Sequence, residues 1–554
     1  MTGTAFRTHL AWSCLLVLAM TTYLYSLDGL YIPHIGDEAP YIQIVRRTAE
    51  SESWLPLRTP PGLENTKPPL LFWLGIVSTD WAREWTLARL RFPITLFTFT
   101  TAGLVFLLAR RIARDSEPGY LAALSFLAFA STFQYGRPFL TNLPETLLVF
   151  LPFFWFLYFH DRIESWGILY WIGAGLSVGL ACLFKSFVLV APVGVAFGWC
   201  LLSERPWRFQ TFLARDAWKV AATLMVALAC FSLWPLLDPD PVSVIRQFVV
   251  EENFGKLAGT DYLRGLFSGP YPLHRIWLGP FANAGPLALP VLYLTVSHWR
   301  RRHKLTLSEK SLWILVLSFL LVYSIPSQRQ ENYLLPTTPA LAVLLGGEWK
   351  RIERPWFYVF TLPLLLGLLI LIWLTDAISS QALPAGSYLA WQRALPWAAI
   401  AVLAAGVLFR RTPPFFLHLG VLLAFASLGA ALAPFEGPAG RYDRQTQTAL
   451  AGAVVHVPSN FVAKYERHRF ILPESEIEGY DPSDRQRVNQ LLRSGQIVAI
   501  ERPLGQTVPG PFEVYGRRLT LRSRQRRDEM ARILIHRELD LLVQQELIVQ
   551  RRSP

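Results

Sequence analysis

Cysteine and charge are both scarce in this chain of 554 residues. Its four cysteines, Cys14, Cys182, Cys200 and Cys230, all fall inside apolar stretches. None has metal-ligand spacing and none lies in the polar C-terminal part, so each reads as a small buried apolar residue. Charged residues make up only 17% of the chain. There is no P-loop or dinucleotide glycine fingerprint, no HExxH and no GxSxG, which argues against a nucleotide-driven pump, a zinc protease and a serine hydrolase. The formal charge of +13 invites a nucleic-acid reading. No basic stripe is interleaved with stacking aromatics, so that reading has no support.

What the chain has instead is apolar length. Apolar residues make up 52% of it, and uncharged runs recur that approach the ~20 residues needed to cross a bilayer. Candidate spans fall near 10–27, 90–109, 119–134, 143–159, 167–183, 187–202, 218–237, 279–297, 312–325, 333–347, 356–374, 394–409 and 415–433. That is about thirteen transmembrane helices, with a break expected at 183–187. The first run has a weak basic start, only Arg7, and no small-residue cleavage site, so it reads as a retained helix.

With the N-terminus in the cytoplasm, the cytoplasmic connections are 110–118, 160–166, 203–217, 298–311, 348–355 and 410–414. They hold Arg110, Arg111, Arg114, Arg205, Arg208, Arg215, Arg300, Arg301, Arg302, Lys304, Lys350, Arg351, Arg354, Arg410 and Arg411. All but 160–166 are clearly basic, which is the positive-inside pattern. Three long segments then face outward: 28–89, 238–278 and everything after 434. Function tends to sit on loops held by a rigid scaffold, so the chemistry belongs outside.

The expected organisation is an all-α polytopic membrane domain over 1–433 and a small α/β soluble domain over 434–554. In the tail, AGAVVHVPS, QIVAIERPL and PFEVYGRRLTL alternate like strands. DPSDRQRVNQLLRSG and RRDEMARILIHRELDLLVQQELIVQ show helical spacing. The second of these is amphipathic and Arg-rich, and it presents either a solvated face or one that lies against the membrane or acceptor headgroups.

The first outward loop carries adjacent carboxylates, Asp37 and Glu38. As structure they make a helix start, with Asp37 as N-cap, Glu38 near the positive helix end and Pro40 in the first turn. The same loop carries Lys67-Pro68-Pro69, which fixes a cation in an extended backbone before an apolar stretch. Such a lysine either snorkels to the interface or neutralises phosphate oxygens as a compact charge.

Together these residues resemble the GT-C glycosyltransferases of the bacterial aminoarabinose-transferase and protein O-mannosyltransferase superfamily. The resemblance rests on Asp37-Glu38 with Tyr41, then Thr66-Lys67-Pro68-Pro69-Leu70 with Trp73, and Ala88-Arg89-Leu90. It continues through GLACLFKSFVLVAPV, with Lys185, and SIPSQRQENYLLPTTPALAVLLGG, where Arg329 replaces the family's lysine ahead of Tyr333. It covers about residues 10–350 and implies the GT-C fold. It also implies that Asp37 is the base or polariser of the acceptor, with Glu38 beside it. Lys67 would hold the carrier phosphate, with Arg89, Lys185, Arg329 and Tyr333 as further substrate contacts. The chain departs from the pattern in GRPFLTNLPETLL, where Asn142 stands in place of a second acid and Glu145 follows three residues on. Glu145 either substitutes, or one carboxylate suffices, or Asn142 positions the acceptor.

The resemblance implies transfer of a sugar from a polyprenyl-phosphate carrier to a lipid, glycan or protein acceptor on the external face of a bacterial inner membrane, with inversion. A transporter or flippase of lipid-linked sugars would show inverted repeats and ionisable residues at mid-depth, and the sequence shows neither. A membrane-anchored envelope scaffold would leave Asp37 and Lys67 unexplained. No cofactor is called for. A divalent metal stays open, since Glu251, Glu252, Asn253 and His274 in 238–278 would have to converge to hold one. Otherwise these are interfacial polar residues, with His274 as a contact to sugar or acceptor.

Overall fold

The computed structural model describes residues 3–31, 37–59, 67–204, 208–253, 262–409, 413–459, 464–522 and 526–552. Thr66, Arg205, Arg410 and Arg411 lie outside the described residues. The apolar runs are helical. Among the described residues, six helices are long and apolar enough to cross a membrane: Leu87–Ala113, Phe187–Glu204, Ala217–Leu237, Arg354–Gln381, Ala390–Leu408 and Pro413–Glu436. The apolar pair Asn142–Tyr158 and His160–Trp166 is bent by 100° at its break, as in a broken span or a re-entrant loop. The apolar helices His9–Leu24 and Ile168–Phe184 are shorter. Leu362, Leu366 and Leu369 face outward from Arg354–Gln381, a surface that costs nothing where the solvent is hydrocarbon. Cys182, Cys200 and Cys230 are buried, whereas Cys14 lies on the outer face of its helix.

Connections that the sequence assigns to one side meet one another. Lys350 bonds Asp115 at 2.6 Å, Arg301 pairs with Glu348, Arg111 lies 3.8 Å from Asp161, and His160 lies 3.8 Å from Glu204. Some of the basic side chains are thus paired with acids of neighbouring connections at the same end of the bundle.

At the opposite end the chain runs through a short helix, Glu38–Glu50, that lies over the bundle. Its anchor is Glu38, whose two oxygens accept from Nε and Nη2 of Arg91, each at 2.7 Å. Arg91 Nη1 also donates to the carbonyls of Leu27 and Gly29, and Phe139 N donates to Glu38 Oε1 at 2.8 Å. Both side chains are 1% exposed, so the pair depends on this full set of partners. Burial raises the Glu38 carboxyl, but the Arg91 charge and hydrogen bonds outweigh it and hold the pKa below the ordinary value.

The tail forms a five-stranded mixed sheet, ordered β2-β1-β3-β5-β4. Its strands are β1 Val454–Pro458, β2 Glu476–Tyr480, β3 Ile497–Pro503, β4 Phe512–Leu521 and β5 Val543–Arg551. β1, β3 and β4 fall on the three alternating segments. The expected last helix is corrected: Arg527–His536 is helical, but its second half is β5, inserted between β3 and β4. Val543, Ile548 and Val549 are fully buried there, and burial on both faces removes the alternation that marks a strand.

The sheet contains a second buried charge network. Glu546 accepts from Arg518 Nε at 2.7 Å and from the Tyr442 hydroxyl at 2.6 Å, with His468 Nε2 3.0 Å away. Burial raises the Glu546 carboxyl, but Arg518 and His468 hold it well below the usual range. The segment that carries His468 also reaches the bundle, where Arg46 pairs with Glu466 and Gln43 bonds Tyr465.

Two outcomes follow. Glu38→Gln, which leaves Arg91 buried and unpaired, should cost about 3–5 kcal/mol, whereas Asp37→Asn, at an exposed position, should leave the melting temperature in detergent unchanged. A carboxylate with a depressed folded pKa contributes stability above its unfolded value of about 4.3 and loses it as the pH falls. Thermal stability of the full chain should therefore drop on acidification below that value, and Glu546→Gln should flatten the dependence.

Candidate active site

The residues of the Asp-Glu loop and of the Lys-Pro-Pro loop meet at one cavity of about 560 Å³. Five separate connections line it, contributing Asp37, Tyr41 and Lys67; Tyr135 and Asn142; Lys185 and Ser186; Glu252 and Asn253; and Gln328, Gln330 and Tyr333. All five are connections that the sequence reading assigns to the outward side. An even number of apolar runs separates each from the next, so their convergence fits an alternating path.

Asp37 occupies the N-cap position of Glu38–Glu50, but its backbone is helical (φ −76°, ψ −15°) and its side chain makes no capping hydrogen bond. The expected cap is therefore not formed. An effective cap needs an extended backbone to turn its oxygen back toward the helix. The carboxylate stays in the cavity, beside the partial positive charge of the helix end. Tyr41, one turn on, presents its ring to the same space and packs edge-on against Phe72 at 5.7 Å. Burial raises its hydroxyl pKa, and the charges of Asp37 and Glu252 raise it further. The phenol is thus a neutral hydrogen-bond donor.

Two lysines enter from different sides. Lys67 Nζ lies 3.3 Å from Glu252 Oε1. Lys185, at the C-terminal end of Ile168–Phe184, donates to Glu145 Oε2 at 2.7 Å and sits 5.5 Å above the Tyr333 ring. Glu145 is 1% exposed, in the first turn of Asn142–Tyr158. Asn142, at the start of that helix, also lines the cavity. Each lysine thus has a glutamate partner, and Asp37 is the carboxylate left over among the described residues.

Glu252 and Asn253 belong to the site, although the sequence suggested interfacial polar residues. They close a π-helical segment, Ile245–Asn253, a widened turn frequent at functional sites. Asn253 accepts from Ser186 Oγ at 2.8 Å and donates to the Phe248 carbonyl at 2.6 Å, which ties the segment to the lysine-bearing turn. The one signal in the sequence was the Glu251-Glu252-Asn253 cluster, which pairwise spacing could not place 185 residues from Lys67.

Four expected residues stand elsewhere. Glu38 is turned away into its pair with Arg91 and anchors the helix instead of facing substrate. Arg89 is exposed and pairs with Glu84. His274 is exposed on Leu273–Trp277 and does not line the cavity. Arg329 is fully buried: it donates to the carbonyls of Ser324, Gly265 and Tyr271, and packs over Tyr262 at 5.2 Å. Its guanidinium thereby holds 262–271 against 324–329, while its neighbours Gln328 and Gln330 face the cavity. Among the described residues, no three His, Cys, Asp or Glu side chains converge as metal ligands.

Residues 66–234 match the family of dolichyl-phosphate-mannose-protein mannosyltransferases. An undecaprenyl phosphate-alpha-4-amino-4-deoxy-L-arabinose arabinosyl transferase of Pseudomonas fluorescens is 26% identical over 352 residues, 60% of this chain and 59% of that protein. The corresponding transferase of Proteus mirabilis is 25% identical over 59% of this chain and 57% of its own length. The chain thus spans about three-fifths of the curated relatives it matches. Crystal structures of ArnT from Cupriavidus metallidurans share the fold. The form bound to undecaprenyl phosphate aligns with a TM-score of 0.65 over 100% of this chain and 99% of that one, at 15% identity. The apo form aligns at 0.61 over 91% and 94%. With its apolar helices, cavity and small C-terminal sheet, the chain has the fold of those ArnT structures, and parts of it are similar to the protein-mannose and aminoarabinose transferases.

Proposed function

We propose that the chain is a membrane glycosyltransferase that takes a sugar from a polyprenyl-phosphate carrier and passes it to a lipid, glycan or protein acceptor. The observation that carries this reading is the cavity itself, where an uncapped Asp37 faces Lys67 and Lys185 from separate loops. The names of the relatives, undecaprenyl-phosphate sugar transferases among them, support the same donor class.

The chemistry follows from the charges. As the bond between the anomeric carbon and the phosphate oxygen breaks, negative charge grows on the departing phosphate. Lys67 and Lys185 are placed to hold it, and such fixed cations act on charge that develops in the transition state. Asp37 accepts the proton of an acceptor hydroxyl. Where the acceptor is itself a phosphate no base is required, and Asp37 orients it. Attack opposite the leaving phosphate gives inversion in one step. Tyr41 and Asn142 supply neutral hydrogen bonds to sugar or acceptor. Lysines meet the phosphate charge in this scheme, so it needs no metal.

The reading includes a topology: about thirteen spans, N-terminus in the cytoplasm, residues 1–433 as the membrane domain, and residues 434–554 as an outward-facing domain of a bacterial inner-membrane protein. Its support is that the cavity-lining connections gather at one end and the basic ones at the other.

With purified full-length chain and lipid-linked sugar, Asp37→Asn should lower transfer to a hydroxyl acceptor by about a hundredfold or more, with unchanged expression; normal turnover would sink the assignment. Lys67→Ala should weaken binding of a polyprenyl-phosphate analogue by about tenfold or more, the loss of one charge-assisted hydrogen bond. A reporter fused after Pro554 should prove periplasmic, and a cytoplasmic signal would reverse the topology.

A further inference from the structure

At the end of the bundle remote from the active site, a second cavity of about 470 Å³ opens between the Ala288–Arg300 and Arg354–Gln381 helices. Leu289, Leu292 and Val296 form one wall and Trp356, Val359 and Phe360 the other. The first three recur at helical spacing and continue to Arg300, so they make one stripe that ends in a cation. Leu292, Val296, Trp356 and Val359 are all more than 40% exposed. The slot is therefore a groove in the outer surface of the bundle.

Its dimensions match a lipid tail. From Leu289 to Arg300 the helix rises about 16 Å, close to the depth of one leaflet of a ~30 Å hydrocarbon core. Trp356 packs edge-on against Tyr293 at 5.4 Å, the kind of aromatic pair that marks the headgroup level. An empty apolar slot forfeits dispersion contacts on both walls, and a chain laid in it restores them.

Its charged end selects the headgroup. Arg300 and Arg301 both line the groove. Arg301 is held by Glu348, which also accepts from Ser297 Oγ at 2.5 Å. Among the described residues, Arg300 has no ion pair or hydrogen bond of its own, and it is exposed. We propose that this groove binds one acyl chain of an anionic phospholipid, with the lipid phosphate resting on Arg300. The site lies among the basic connections, where a net-negative headgroup is attracted and a zwitterionic one is not. This inference depends on the membrane embedding of the helices and is independent of the transferase reading.

Native mass spectrometry of the full-length chain, released from detergent into equal phosphatidylglycerol and phosphatidylcholine, reads the site directly. The wild type should retain phosphatidylglycerol with a preference of about fivefold or more, the worth of one arginine at an anionic surface. Arg300→Glu should bring that preference close to unity. Val296→Trp, which fills the groove, should release the retained lipid while melting temperature and transfer stay the same. Equal retention of the two lipids by the wild type, or an unchanged preference in Arg300→Glu, would overturn the proposal. Displacement by millimolar inorganic phosphate alone would overturn it too, because it would show a headgroup site without a seated chain.

Discussion

The buried pair of Glu38 and Arg91 is the constraint on which the active end depends. One guanidinium holds both oxygens of Glu38 and two carbonyls at the end of the first helix, and Glu38 also takes the amide of Phe139. The end of the first helix, Glu38, Arg91 and Phe139 are tied at one point. Asp37 is the next residue, so its freedom is removed by its neighbour's bonds and its own oxygens stay unspent. From the other side, Glu466 and Tyr465 of the tail grip Arg46 and Gln43 of the same helix. The helix is clamped at both faces, and the carboxylate in the cavity inherits that rigidity, which is what a positioned catalytic group requires.

The lysines are arranged on a different principle. Lys67 and Lys185 each rest on a glutamate, one shared with solvent and one buried. A bare pair of cations in a half-buried cavity would repel each other. The glutamates offset that repulsion. In the proposed reaction an arriving phosphate meets donors that are already oriented, so little conformational freedom is lost on binding. Glu252 sits on the segment that Asn253 fastens to Ser186, so the partner of one lysine is mechanically linked to the loop of the other.

Much of this was legible in the sequence because membrane solvation acts on long runs, and long runs are visible. The apolar helices, the basic connections, β1, β3 and β4, and the pairing of Asp37 with Lys67 in one loop all left local patterns. What failed to show was long-range or two-sided. β5 is buried on both faces, so its period was lost and it read as helix. Glu252 reaches the cavity through folding of a loop far from Lys67. Arg89 and Arg329 carry the right charge for a phosphate site and Glu38 the right group for a base, but whether a charge faces a substrate or a protein partner depends on geometry. Arg329 shows why: three carbonyls occupy its Nε and Nη1 donors, so a cation that replaces the family's lysine serves the scaffold.

The departure at Asn142 gains meaning from the same geometry. Asn142 lies at the first turn of its helix, next to a cavity in which Glu145 is already committed to Lys185. An acid at position 142 would add a further negative charge beside Asp37, Glu145 and Glu252, with both lysines already partnered. The neutral amide keeps the charge of the empty cavity low, so the phosphate of a carrier is not repelled as it enters. Direct displacement at the anomeric carbon needs one base and one stabilised leaving group. In the proposed reaction Asp37 supplies the first and the two lysines the second, and an uncharged side chain at 142 leaves that division intact.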